Sequence, residues 1–309
     1  MKNILVTGAF GQIGSVLTPL IQKLPGIEKV VACGHSNIPA GFTGTVEQLD
    51  VRDPQAIRSV IRKHHIDTVF HLVSKLSTTS EQDSALAWET NLDSLRYFLD
   101  CAAEFDLRLF WPSSIAVYGP SAQKDNAPQQ TYFNPITLYG ITKSAGEQLC
   151  AYYTERFNLD IRMVRLPALM SSQLHTGGGT GDYASAMVLS AMENTQYTCY
   201  LHAETRLPLM AVQDAAQAIL DIMLSSSPKL KKGFAYNLEA FHPSVQELAD
   251  AIKTVLPLTV SYEIDEKRKD IAGSWPNSLD TTAAQEDWGW HPQLTLEDTI
   301  QRIISDRSR

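Results

Sequence analysis

The sequence holds no apolar run approaching the roughly 18–20 residues that span a bilayer. Its opening MKNILVTG carries an apolar segment too short for a secretory leader and runs straight into a glycine motif. Cysteine is scarce. Cys33, Cys101, Cys150 and Cys199 are scattered with no paired spacing, which argues against a disulfide framework and against a structural zinc site. No metal site is expected, and four reduced thiols fit a cytoplasmic location. Cationic residues are outnumbered, 26 Lys and Arg against 34 Asp and Glu, and the longest basic block is KLKK at 229–232. Nucleic acid or an anionic membrane would need a basic face. Neither is expected as a partner; a small molecule is. Internal repeats and low-complexity linkers are absent as well.

What is present is a rhythm. Short β-rich runs at 3–7, 29–33, 46–50, 68–73, 107–112 and 160–166 alternate with apolar residues at helical spacing over 13–24, 55–64, 86–104 and 139–157. Such alternation predicts βαβ units and an α/β fold, a doubly wound parallel (Rossmann) sheet. After Pro167 the pattern changes to a glycine-rich loop at 177–183, a helix near 184–194, a strand near 234–238 and a helix at 245–256. The expected organisation is a dinucleotide-binding domain from 1–166 plus about 207–239. A smaller C-terminal substrate lobe would come from 167–206 plus 240–309. Trp275, Trp288 and Trp290 read as packing of that lobe, and Trp275 also as a cover for the site.

Gly8-Ala9-Phe10-Gly11-Gln12-Ile13-Gly14 follows the first strand and opens the first helix. There glycines allow a tight turn, close approach of backbone amides to a pyrophosphate, and close helix–strand packing. Gly8, Phe10, Gly11, Gln12 and Ile13 are the expected dinucleotide contacts. An NAD site commonly ends its second strand with a carboxylate for the ribose, but here the strand runs into Gly34-His35-Ser36-Asn37. His35 and Ser36 are the candidates left at that edge. No arginine follows to attract a 2′-phosphate, so NAD is expected, with NADP open. LDVRD at 49–53 offers Asp50 and Val51 to the adenine, although Asp50 reads equally well as the cap of a helix beginning near Pro54.

Tyr139 and Lys143 stand four apart at the start of a helical segment, on one face. A tyrosine with its ordinary pKa near 10 is a poor base. A neighbouring ammonium and a cationic nicotinamide ring would favour the phenolate. Ser113-Ser114 ends a strand at the carboxyl edge of the sheet, where doubly wound folds bind ligands, and Ser114 can hold a substrate oxygen beside Tyr139.

GAFGQIG, SSIAVYG and YGITK, in that order, resemble the extended short-chain dehydrogenase/reductase family over nearly the whole chain. More narrowly, WPSSIAVYGP, TLYGITKSAGE, GGGTGDYA, YTCYLHAETRLPLMAVQDA and SWPNSLD…DWGW resemble the short-chain-type L-threonine 3-dehydrogenases. The resemblance implies an NAD-dependent oxidoreductase converting the 3-hydroxyl of L-threonine to 2-amino-3-oxobutyrate. It implies Ser114, Tyr139 and Lys143 as the catalytic trio, and Ser77, Thr180 and Asp182 around the amino acid. Leu72, Val73 and Leu166 would lie along the cofactor, and Asn91 would serve structure and proton relay. Dimers through the 86–104 and 139–157 helices are implied too.

Three departures stand out. Gly181 replaces the second threonine of the usual GGGTTDYA; Ser74 and Lys75 occupy a stretch that is usually apolar; Gly34 lacks the acid. Each bears on specificity, and Gly181 and Lys75 are the first suspects for a shifted substrate. The alternatives are a dehydrogenase of another β-hydroxy amino acid or small hydroxy compound, a nucleotide-sugar epimerase or dehydratase, and a non-catalytic NAD(P)-binding regulator.

Overall fold

A computed structural model describes residues 1–34, 42–173 and 178–308. In chain order the first half runs β1 (Asn3–Thr7), α1 (Gly14–Gln22), β2 (Lys29–Gly34), β3 (Thr45–Gln48), α2 (Pro54–His64), β4 (Thr68–His71), α3 (Ser77–Gln82), α4 (Ser84–Trp88), α5 (Ser94–Phe105), β5 (Arg108–Ser114), α6 (Leu138–Phe157) and β6 (Ile161–Leu166). The rest continues through β7 (Ala168–Met170), α7 (Tyr183–Met192), β8 (Tyr197–Cys199), β9 (Leu209–Ala211), α8 (Val212–Leu224), β10 (Ala235–Asn237), α9 (Val245–Lys253), β11 (Val260–Tyr262), α10 (Glu266–Ser274), α11 (Thr282–Trp288) and α12 (Leu296–Arg307).

Seven strands form one parallel sheet in the order β10-β6-β5-β4-β1-β2-β3. The direction of winding reverses between β1 and β4, so the carboxyl ends of those strands open a crevice. Alternate residues of each strand serve opposite faces. Ile4 and Val6 pack with Leu17 and Ile21 of α1 and with Ile219 and Met223 of α8. Leu5 faces the other way, to Ile57 and Val60 of α2 and Phe98 of α5. Both strand faces are therefore apolar, the signature of a sheet covered on two sides. A third apolar cluster joins Ile115–Tyr118 to α7, α9 and Trp275. Trp275 is thus packed, and it also lines the cleft described below.

Two expected elements end earlier. The third strand stops at Gln48, before Leu49-Asp50, and the fourth at His71, leaving 72–76 outside any strand, with the Leu72 amide still donating to the Thr7 carbonyl. The helix expected over 86–104 is interrupted by a π-helical turn, Glu89–Asp93, between α4 and α5. Inside it the Ser94 hydroxyl donates to the Thr90 carbonyl, and Asn91 reaches sideways to other elements. Such turns often mark functional positions. Among the described residues no helix is long and apolar enough to cross a membrane, and no group of His, Cys, Asp and Glu could hold a metal ion. All four cysteines are buried and free.

Candidate active site

The three residues expected to be catalytic, Ser114, Tyr139 and Lys143, are brought together by local rules. Thr137 caps α6 by accepting the Gly140 amide at 3.1 Å, so Tyr139 falls in the first helical turn. A Cβ on Gly140 would lie 2.2 Å from the Ala116 carbonyl oxygen. Only glycine lets the helix start press against the turn that follows β5. That approach puts Tyr139 in hydrogen-bonding reach of the Ser114 hydroxyl. One turn on, Lys143 is buried, with Nζ 4.3 Å from the Trp111 ring centroid and 5.6 Å from that of Tyr139.

The sequence-based expectation is that Lys143 together with a cationic nicotinamide ring favours the Tyr139 phenolate; in the protein alone, Lys143 does not hold the phenol down. Burial pushes Tyr139 up to about 12, partly opposed by the Ser114 hydrogen bond. Burial brings Lys143 down to about 7. The reason is geometric. Lys143 Nζ donates to the Pro112 carbonyl at 2.6 Å, beneath the strand end, rather than to the phenol. Desolvation then outweighs any attraction between the two side chains.

A second tier holds this arrangement in place. Glu147, one turn beyond Lys143, receives both Nε and a terminal nitrogen of Arg165 at 2.8 Å each, and accepts from the Ser113 hydroxyl at 2.5 Å. Arg165 is itself buried, donates to Gln129 O and Asn237 Oδ1, and lies over the Phe133 ring. The ion pair thus ties α6 to β6 and to the residue next to Ser114. These partners were not anticipated. Glu147 and Arg165 are 18 apart in sequence, and only the β5–β6 register, which sets Ser113 beside Arg165, joins them.

Two pockets flank the glycine loop. One is a cleft lined by Gln12, Ile13, Leu72, Leu166, Ser77, Ser114, Tyr139, Lys143, Thr180 and Asp182, all anticipated, and by Ser74, Ala168, Gly181 and Trp275. Ser77 and Thr180 share a hydrogen bond of 3.3 Å, and Tyr200 donates to the Thr180 carbonyl. Asp182 accepts the Gly179 amide at 2.7 Å, and burial raises its carboxyl. The second pocket, across the loop, gathers Gly8, Val73, Asp50 and Val51, with Arg52 and Lys75 beside them. Asp50 is not the helix cap; Asp53 is, accepting the Gln55 and Ala56 amides. Asp50 instead pairs with Arg52 at 2.6 Å.

The remaining candidates lie elsewhere. Phe10 packs edge-on against Phe42, with its ring where a Cβ on Gly34 would be, at 2.6 Å. An acidic side chain at 34 would require that ring to move. Gly11 stays in the loop, its amide donating to Gly8 O. Asn91 lines neither pocket. Its amide clamps the Lys75 backbone, accepting from N at 2.7 Å and donating to O at 3.0 Å, and reaches Thr142 Oγ1 on α6. His35 and Ser36 lie outside the described residues.

A dinucleotide fits this architecture. Gly8 has φ +66°, and a Cβ there would press the Val73 amide at 3.2 Å; the loop joins the two pockets at the start of α1. The profile of the NAD dependent epimerase/dehydratase family matches residues 4–238. The chain belongs to that family. Family membership makes it an NAD-dependent oxidoreductase of the extended short-chain type. An "uncharacterized epimerase/dehydratase" of Staphylococcus epidermidis is 40% identical, covering 98% of this chain and 96% of that protein. The L-threonine dehydrogenase structure from Clostridium difficile superposes with a TM-score of 0.95 at 38% identity, covering 100% of this chain and 98% of that one. A monomeric L-threonine 3-dehydrogenase from a metagenome gives 0.93 and 36%, covering 99% of each chain.

Proposed function

We propose that the enzyme oxidises the 3-hydroxyl of L-threonine to 2-amino-3-oxobutyrate. The observation that carries this reading is the cleft itself. A tyrosine and a serine that can share a substrate hydroxyl stand in one wall, and Ser77, Thr180 and Asp182 line the same small space. The structural likeness to threonine dehydrogenases over the full chain supports it.

NAD, when bound, supplies the hydride acceptor. Ser114 would hold the substrate oxygen, and Tyr139, once deprotonated to its phenolate, would take the hydroxyl proton as the C3 hydride leaves to a bound nicotinamide. Lys143, near neutrality in its burial, can give up or hold a proton beside the tyrosine at physiological pH. The Glu147–Arg165 pair keeps the helix and Ser113 in register while this happens. Asp182 and Thr180 meet the polar end of the amino acid. Diphosphosugar chemistry is less well served, because among the described residues the cleft lining carries no arginine and one lysine, Lys143.

The test is the initial rate of NADH formation with L-threonine, compared with L-serine, L-allo-threonine and D-threonine. A clear preference for L-threonine is expected. Activity only with another β-hydroxy amino acid would replace threonine while keeping the reaction. The same reading includes a homodimer, for which exposed Trp88, Ile141 and Tyr152 on α4 and α6 supply apolar surface. A monomer by light scattering at micromolar concentration would remove it.

A further inference from the structure

Five residues separate the two pockets, and their side chains alternate. Leu72, Ser74 and Leu76 line the cleft with Tyr139, while Val73 and Lys75 line the pocket with Asp50 and Gly8. The segment after β4 is extended, so successive side chains take opposite sides. Lys75 therefore does not touch the substrate cleft, and the suspicion that it shifts substrate choice is corrected by its direction.

Its placement is firmly built. Asn91 holds its backbone amide and carbonyl together, and the Ser80 hydroxyl adds a bond of 3.1 Å to the same carbonyl. Among the described residues the Lys75 ammonium has no ion-pair partner, unlike Arg52 in the same pocket, which is committed to Asp50 at 2.6 Å. An unpaired cation beside the glycine turn, facing the pocket that meets the adenosine half of a dinucleotide, is a site for phosphate. We infer that Lys75 is a phosphate ligand of the dinucleotide. The phosphate is either the pyrophosphate, common to NAD and NADP, or the 2′-phosphate of NADP, which meets no carboxylate at Gly34.

The inference rests on the dinucleotide reading of the glycine loop and not on the threonine reading, so binding is measured without substrate. Dissociation constants for NADH and NADPH would be obtained by calorimetry for the wild type, Lys75→Met, Lys75→Gln and Lys75→Arg. Loss of a partly exposed charge-assisted bond should weaken binding about five- to tenfold in the Met and Gln variants, and the arginine should restore it to within about twofold. Equal weakening of NADH and NADPH assigns the pyrophosphate. Weakening of NADPH alone assigns the 2′-phosphate. Higher salt should narrow the gap between wild type and Lys75→Met, as a packing role would not. Unchanged affinity for both nucleotides in folded Met and Gln variants overturns the assignment alone. A wild-type protein that binds neither nucleotide overturns it together with the cofactor reading.

Discussion

On the cleft side of the 72–76 segment several groups are almost sealed from water, Lys143 at 2% exposed, Thr180 at 1% and Ser77 at 3%, while Tyr139 and Ser114 are partly buried. On the other side, Arg52 and Asp50 are 40% and 38% exposed at their side chains. Burial is what displaces Tyr139 and Lys143 so far from their ordinary proton affinities. The charges on that second side are screened by solvent and interact weakly one by one. One five-residue segment thus divides a side where each atom is over-determined from a side where recognition is a sum of modest contacts.

The sharpest way to break that contrast is to cut the buried ion pair. Arg165→Met should cost about 3–5 kcal/mol in chemical denaturation, because the Glu147 carboxylate is left buried and alone. The double variant Glu147→Leu/Arg165→Met should recover much of that loss. A single variant as stable as wild type would show that the pair does not hold the site. Next comes the glycine loop. A Cβ at Gly181 would sit 2.2 Å from the Ala168 Cβ, so Gly181→Thr should cost about 1–3 kcal/mol by overpacking. Adding Ala168→Gly should relieve it. Additive losses in melting temperature would mean the two positions do not compete for the same space.

The pH effect of Lys143 tests the same burial by another route. Its folded value of about 7 lies below the ordinary 10.5, so between those limits the unfolded chain holds more protons and stability rises with pH. Lys143→Met should lack that rise. Its melting temperature should compare best with wild type below pH 7 and lose ground toward pH 10; parallel curves would contradict the buried lysine. The smallest effect is expected across the divide, where Asp50→Ala should change stability by less than about 1 kcal/mol. A larger loss would mean that this side is as tightly determined as the cleft.

Much of this was legible in the residues. The sheet, the glycine loop, Ser114, Tyr139 and Lys143 follow from period and spacing because each is local: a strand, a turn, one helical face. The π-helical turn at Glu89–Asp93 was not, since its apolar spacing matches an ordinary helix and only the backbone geometry distinguishes it. Glu147 and Arg165 reach the site through tertiary register, which no sequence period encodes. Strands of three residues, such as β7 and β9, are too short to show alternation at all. The direction of Lys75 could have been read from extended alternation after β4, had the strand's end been known.

The proton acceptor proposed for the cleft is the Tyr139 phenolate. The direct measurement is Tyr139→Phe, with kcat on L-threonine and the dissociation constant for NADH determined on the same preparation. In this variant kcat should fall by about 10²–10⁴ while nucleotide affinity stays within about twofold. Turnover close to wild type, with binding intact, would contradict it.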